Sequence, residues 1–149
     1  MCGAIHCATG PELAQECWLL SGCQTGDAKL TKGYRLPARY VIYAVGPVWR
    51  GGTDGGPVQL VSCYRRCLEI ADANRIATIA FPSISTGIYG YPIELAANVA
   101  IDSIHTTMAN LSSVREVTVC CFSPNDLVVY HTVPLPGLTI DLSALHFRL

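Results

Sequence analysis

The chain has 149 residues, of which half are hydrophobic and 14% are charged, a composition that fits one globular domain and excludes an intrinsically disordered chain. Its 10 basic and 11 acidic residues are interspersed and give a formal net charge of −1, which argues against duplex nucleic acid and anionic membranes as partners. The sequence has no apolar run of about 18 residues and no signal-peptide pattern, so we expect a cytoplasmic protein without a membrane span.

The sequence contains eight cysteines, an even number that in a small secreted protein would suggest a disulfide framework. Because no secretory signal accompanies them, we expect reduced thiols instead. Most lie in apolar segments, where a free cysteine behaves as a small buried hydrophobic residue: Cys17, Cys63, Cys67, Cys120 and Cys121.

The first half of the chain predicts a short helix, a strand and a long helix. Pro11 in the first turn and Gly22 beyond the end predict a helix over residues 11–20. Its expected buried face is Leu13, Cys17 and Leu20. An uninterrupted apolar and aromatic run predicts a strand over residues 40–45 that is covered on both faces. Apolar residues at helical spacing predict a long helix over residues 58–73.

The second half continues the same alternation. We expect strands over residues 76–81 and 117–122, each followed by a helix, over residues 93–108 and 124–131. Strands that alternate with helices predict an α/β fold with a largely parallel sheet and helices on both faces. Ligand sites in such folds lie beyond the carboxyl ends of the strands.

The last 16 residues depart from this alternation. Pro134 and Pro136 interrupt the chain, and Leu138, Ile140 and Leu142 then alternate with polar residues, as in a strand. The sequence therefore predicts a domain over residues 1–133 and a C-terminal extension over residues 134–149 that forms an additional strand.

The segment between the second predicted strand and its helix has the composition of an anion-binding loop. It reads Ser83-Ile84-Ser85-Thr86-Gly87-Ile88-Tyr89-Gly90, and Tyr91 and Pro92 follow it. Glycines let the backbone approach a ligand closely, and successive N–H groups can face an anion while the hydroxyls of Ser85 and Thr86 add donors. Tyr89 and Tyr91 suit packing against a sugar or base. The alternative is a strand-to-helix turn whose hydroxyls only cap the helix.

This loop resembles the second phosphate-binding loop of macrodomains. Further segments match the MacroD-like subgroup in the same order, over residues 3–6, 10–17 and 26–47, so the resemblance covers roughly residues 3 to 130. It implies a three-layer α/β/α sandwich with a mostly parallel mixed sheet. It also implies binding of ADP-ribose, often with removal of mono-ADP-ribose from acidic side chains or deacetylation of O-acetyl-ADP-ribose, and no cofactor or metal.

The resemblance also implies which residues bind the ligand. They are Ser83, Ser85, Thr86, Gly87, Ile88 and Tyr89, whose backbone amides would hold the diphosphate and distal ribose with the Tyr89 ring beside that ribose. Phe122 matches the position of an aromatic residue near adenine. Core packing is the alternative for Phe122.

The sequence departs from the family pattern at its N-terminus. In the family, a first strand, a central strand that ends in an Asn-Ala-Ala-Asn-like motif, a glycine run and an Asp precede the segment that begins at Gly3. Here the chain starts at Met1, and Cys2 occupies the position of that Asp. Because a positioned general base contributes about 10² to 10⁴ in rate, we expect incomplete catalytic machinery and weaker binding. Cys2 or His6 could replace this Asp as a base or nucleophile only with a partner group that activates it, and the sequence shows no such partner for either residue. The sequence therefore assigns no catalytic residue. It also leaves open whether Met1 is the biological start.

Loss of a central strand would leave two open edges in a parallel sheet. We hypothesise that residues 138–149 fill or flank this place, either in their own subunit or by exchange in a homodimer.

Two unrelated chemistries fit less well. Cys63 and Cys67 lie one helical turn apart, but no histidine completes a zinc site with them or with Cys120 and Cys121. A serine hydrolase based on Ser83, Ser85 or Thr86 would need a G-x-S-x-G elbow and triad partners, which the sequence lacks.

Three hypotheses therefore compete. The favoured one is an ADP-ribose binder with incomplete catalytic machinery. The others are an active mono-ADP-ribosyl hydrolase or O-acetyl-ADP-ribose deacetylase, and a structural or assembly protein that retains the fold.

Overall fold

A computed structural model describes residues 2–134 of the chain. In this range the chain forms, in order, α1 (Cys2–Thr9), α2 (Pro11–Leu19), β1 (Ala28–Lys32), β2 (Tyr40–Ala44), α3 (Gly56–Ala73), β3 (Thr78–Pro82), α4 (Ile93–Met108), β4 (Glu116–Cys120) and α5 (Pro124–Thr132). The helix predictions at residues 11–20, 58–73, 93–108 and 124–131 are confirmed, and so are the three predicted strands, each with shifted ends.

Two elements escaped prediction. Strand β1 has the sequence Ala-Lys-Leu-Thr-Lys, and its two lysines break the apolar pattern that would predict a strand. Ala28 and Thr31 of this strand are nevertheless buried. Helix α1 has no acidic residue in its first turn, so the usual sequence signal for a helix start is missing.

The described strands form two two-stranded sheets, one antiparallel and one parallel. β1 and β2 form an antiparallel hairpin in which Ala28 pairs with Ala44 and Lys32 with Tyr40. β3 and β4 are parallel, with Pro82 opposite Cys120, and α4 is the crossover between them.

The strands are less buried than their apolar sequences predicted. Tyr40 is exposed and the rest of β2 is half-buried, while β4 alternates buried Val117 and Val119 with exposed Glu116 and Cys120. The prediction that the strand over residues 40–45 is covered on both faces is therefore wrong for the described residues. In β4 only one of the two alternating faces packs on the core.

The helices lie on both faces of the strands. Ile42 and Ala44 pack against the core cluster that contains the buried face of α3. The intervening Tyr43 points to the opposite face, where its ring stacks on His6 of α1 at 5.8 Å between centroids. This arrangement confirms the predicted three-layer α/β/α sandwich.

The core is centred on the packing of α3 against α4. Small residues of α4 (Ala96, Ala97 and Ala100) are fully buried, which lets the two helices approach closely and leaves room for the side chains of Leu60, Tyr64 and Leu68 on α3. Tyr64 also packs against Phe81 of β3, with ring centroids 5.1 Å apart, so α3 fixes the position of the strand that leads into the 83–90 loop.

The seven cysteines whose side chains are described are all free thiols. Cys63, Cys67 and Cys121 are buried as predicted, whereas Cys17 is half-buried and Cys120 is exposed. Within residues 2–134, no helix is both long and apolar enough to cross a bilayer. The strand predicted over residues 138–149, and with it most of the predicted C-terminal extension, lies outside the described residues.

Candidate functional site

The 83–90 loop connects the carboxyl end of β3 to the first turn of α4. Two internal bonds hold its shape: the Gly90 N–H donates to the Gly87 carbonyl at 2.9 Å, and the Tyr91 N–H donates to the Ser85 carbonyl at 3.0 Å. Ser85 has a φ of +69°, a conformation uncommon for a residue with a side chain, and Gly90 has a φ of +66°. The loop therefore reverses direction twice within six residues.

The most distinctive feature of the loop is a run of free backbone donors. The N–H groups of five consecutive residues, 85–89, donate no hydrogen bond to any part of the chain that the structure describes. Residues 87–90 are also exposed to solvent. A run of unpaired amides in a strand-to-helix turn is a backbone arrangement that can bind an anion such as a phosphate group.

The hydroxyl groups of the loop turn inward instead. Thr86 Oγ1 donates to the Ser83 carbonyl at 3.0 Å, and the hydroxyl oxygens of Ser83 and Ser85 are buried. In this conformation the outward-facing donors are backbone N–H groups. The prediction that Ser85 and Thr86 contribute hydroxyl donors to a ligand stays a prediction.

The segment after β2 supports the loop from the side. Gly46 approaches it so closely that a Cβ at this position would lie 2.3 Å from Ser85 Oγ and 2.8 Å from Ile84 Cγ2. Farther along, the Trp49 N–H donates to the Tyr89 carbonyl at 2.9 Å, and the Trp49 ring packs on the ring of Tyr91 at 4.5 Å. The carboxyl ends of β2 and β3 therefore meet at one edge.

Three apolar or aromatic side chains in the loop and after β4 are exposed to solvent. Ile88 is fully exposed, Tyr89 is 42% exposed and Phe122 is 79% exposed. Phe122 follows β4, and since Cys120 pairs with Pro82 in a parallel ladder, Phe122 leaves the sheet at the same edge as the loop. Phe122 is therefore not part of the core that the described residues form.

The candidates near the N-terminus lie on α1. The backbone of Cys2 begins this helix, and His6 stacks on Tyr43 on the face of β2 away from α3. Among the described residues, no group of three or more His, Cys, Asp or Glu side chains is arranged to hold a metal ion.

Sequence reasoning missed three residues that shape the loop. They are Gly46, Trp49 and Tyr64, whose hydroxyl oxygen accepts a hydrogen bond from the Ile84 N–H at 3.3 Å. Tyr64 occupies an apolar position of α3, where a single sequence gives no signal that its hydroxyl has a separate role. Gly46 was visible only as the residue that ends a strand.

Comparison with known proteins places this geometry in a family. The family model of the macro domain matches residues 1–100. The chain belongs to the macro domain family. A macro domain-containing protein of Chlorobaculum tepidum is 56% identical over 135 residues, which cover 91% of this chain and 78% of that protein. An ADP-ribose glycohydrolase of Xenopus laevis, MACROD2, is 50% identical over 130 residues, which cover 86% of this chain and 31% of that larger protein.

Solved macrodomain structures share the fold. The Oceanobacillus iheyensis macrodomain with ADP superposes with a TM-score of 0.80 at 39% identity, over 87% of this chain and 71% of that one. The Trypanosoma brucei macrodomain in complex with ADP-ribose superposes with a TM-score of 0.79 at 40% identity, over 86% of this chain and 53% of that one. The predicted family and fold are confirmed.

Proposed function

We propose that this macro domain binds ADP-ribose or a related ADP-ribosyl compound, and that the 83–90 loop holds the diphosphate. The observation that carries the proposal is the run of five free N–H groups at residues 85–89. A hydrogen bond to a charged group contributes about 1.5 to 3 kcal/mol, so a few of these donors acting together would supply useful affinity. The relatives solved with ADP and ADP-ribose support this ligand class.

The aromatic residues at the same edge provide the other contacts. Tyr89 is partly exposed beside the free amides, and we place the distal ribose against its ring. Phe122 presents an exposed ring at the end of the neighbouring strand, and we place adenine there. A bound nucleotide would thus extend from the end of β4 across the loop.

For the 149-residue chain we propose binding without efficient hydrolysis. Cys2 stands at the position where the family pattern has an Asp, whose carboxylate the resemblance assigns to water activation or substrate positioning. General acid–base catalysis needs such a group within hydrogen-bond reach of the reacting atoms. The second candidate function, an active mono-ADP-ribosyl hydrolase or O-acetyl-ADP-ribose deacetylase, is favoured by the similarity to MACROD2.

Calorimetric titration with ADP-ribose, run beside a hydrolysis assay on a mono-ADP-ribosylated protein, separates these functions. Adenosine, which lacks the diphosphate, is the control ligand. We expect heat with ADP-ribose, much weaker heat with adenosine, and no turnover. Turnover would establish the hydrolase. Neither heat nor turnover would leave a structural or assembly role and would contradict the proposal.

A further inference from the structure

Two buried tyrosines lie beneath the 83–90 loop, one on α3 and one on α5. Tyr64 and Tyr130 are each only 1% exposed. The ring of Tyr64 packs on Phe81 at the end of β3, which fixes the ring and directs its hydroxyl toward the start of the loop. A tyrosine hydroxyl buried this deeply needs a polar partner, since an unsatisfied buried hydroxyl is destabilising.

The partner of Tyr64 is the last inward-facing amide of the loop. The Ile84 N–H donates to its hydroxyl oxygen at 3.3 Å. The next residue, Ser85, has a φ of +69° and turns the chain over, and the free N–H groups begin there. The bond to Tyr64 therefore anchors the loop immediately before the residue at which its donors become free.

Tyr130 approaches the loop from α5. Its hydroxyl lies close enough to the hydroxyls of Ser83 and Tyr64 to be affected by them, but the hydroxyl oxygens of Tyr130 and Ser83 make no hydrogen bond within the described residues. Burial raises the pKa of both tyrosines, so both remain neutral at physiological pH and each keeps a proton to donate. The hydroxyl groups of Tyr64, Tyr130 and Ser83 thus lie together beneath the start of the loop, and the hydrogen bond formed there is the one from the Ile84 N–H to Tyr64.

We infer that Tyr64 is a positioning residue whose buried hydroxyl, with that of Tyr130 behind it, holds the 83–90 loop in the conformation that presents its free N–H groups to an anionic ligand. Neither hydroxyl reaches the ligand. The inference rests on the proposed function for its effect on affinity, while the anchoring of Ile84 can be measured without any ligand.

Tyr64→Phe tests the inference, because it removes the hydroxyl and keeps the ring that packs on Phe81. Loss of one hydrogen bond predicts a Kd for ADP-ribose raised about fivefold. In the ligand-free protein we also expect faster amide hydrogen exchange at Ile84 than in the wild type. The matched control is Tyr43→Phe, whose buried hydroxyl lies on the opposite face of β2, and it should change neither quantity.

A purely structural role for Tyr64 predicts a different result, namely a lower Tm with the Kd unchanged. A Kd within twofold of the wild-type value overturns the inference, whatever the exchange rate of Ile84. If the wild-type protein itself gives no heat with ADP-ribose, the proposed function is wrong. The predicted effect of Tyr64→Phe on the Kd is then wrong as well. The exchange rate at Ile84 still shows, in that case, whether Tyr64 anchors the loop.

Tyr130→Phe and Ser83→Ala provide a second test if Tyr64→Phe does not fold. If the hydroxyls of Tyr130 and Ser83 act through one another, each single variant should weaken the binding of ADP-ribose. The double variant should then bind no more weakly than either single variant. Fully additive effects on the Kd, or no effect of either variant, overturn the inference.

Discussion

Gly46 lies against the loop so closely that a Cβ at position 46 would lie 2.3 Å from Ser85 Oγ. Real Cβ atoms do not approach another atom to this distance, so a side chain at position 46 must displace the side chains of Ser85 and Ile84 in the loop. Two segments separated by about 40 residues in the sequence thus fit together only because one of them lacks a side chain.

Gly46→Ala should therefore disturb ligand binding more than its single methyl group suggests. Ile84 and Ser85 must shift, and overpacking of this kind costs about 1 to 3 kcal/mol of stability. We expect the affinity for ADP-ribose, measured by calorimetry, to fall at least about tenfold if the same distortion misaligns the amides.

Two further variants check this explanation. Gly56→Ala introduces a Cβ with no atom within 4 Å and should leave the affinity unchanged. Adding Ser85→Ala to Gly46→Ala removes the nearest clashing atom and should restore part of the binding, because the Ser85 N–H remains. If Gly46→Ala binds ADP-ribose with wild-type affinity, the close approach of Gly46 to the loop does not affect binding.

Gly90→Ala tests the reversal of the chain at the other end of the loop. Gly90 has a φ of +66° and open space around its missing side chain, so substitution adds backbone strain of about 1 to 2 kcal/mol without a clash. Gly22→Ala is the matched control, since Gly22 has a φ of +69°, equally open surroundings and no contact with the loop. Both variants should lose similar stability in thermal unfolding. Only Gly90→Ala should lose affinity for ADP-ribose, and equal affinities in the two variants would argue against the loop as the binding site.

Phe122→Ala tests the place of the adenine ring. If adenine packs on this exposed ring, the affinity for ADP-ribose should fall about fivefold to tenfold, since such a contact is worth about 1 kcal/mol. Binding of ribose 5-phosphate, which has no adenine, should be unaffected in competition measurements. The control for general surface effects is Val128→Ala, because Val128 is an exposed apolar residue on the neighbouring helix α5. Equal losses for both ligands would place Phe122 away from adenine.

Stability at alkaline pH should depend on the buried thiols of α3. Burial raises the pKa of Cys67 to about 12 and that of Cys63 to about 11, compared with about 8.5 in an unfolded chain. Between these values the unfolded state has released a proton that the folded state retains. The free energy of unfolding should therefore fall as the pH rises above about 9, by up to about 1.4 kcal/mol per pH unit for each thiol.

Denaturant unfolding over pH 7 to 11 checks this expectation. Cys67→Ala should be less stable than the wild type at pH 7 but should lose stability less steeply as the pH rises. Val119→Ala, which also creates a cavity in the core but removes no ionisable group, should keep the wild-type slope. Identical slopes in all three proteins would contradict the role of the buried thiol.

The sequence predicted what depends on local periodicity and turn chemistry. Helix α4 was predicted with the bounds that it has, and the loop between β3 and α4 was identified from its glycines and hydroxyl residues. Strand β1 was missed because its lysines mask a strand that is stabilised by pairing with β2. Contacts between distant segments were equally hidden, since the approach of Gly46 to Ser85 and the bond from Ile84 to Tyr64 exist only after the layers pack.

The inward orientation of the loop hydroxyls was also hidden from the sequence, because it too exists only in the folded loop. Ser83 and Thr86 are typical anion-binding residues by composition, and only the folded loop shows the Thr86 hydroxyl bonded to the Ser83 carbonyl. Anion binding by the loop stays a prediction from the sequence, whereas the orientation of its hydroxyl groups required the structure.

The most direct test of the proposed site is a titration of the isotopically labelled protein with ADP-ribose, followed by the NMR signals of the backbone amides. We expect the amide protons of residues 85–89 to show the largest downfield shifts, because they form hydrogen bonds to phosphate oxygens only when the ligand is bound. The Ile84 amide, already bonded to Tyr64, should shift less. Saturable binding that leaves the signals of residues 85–89 unchanged, or no binding at all, would contradict the central claim.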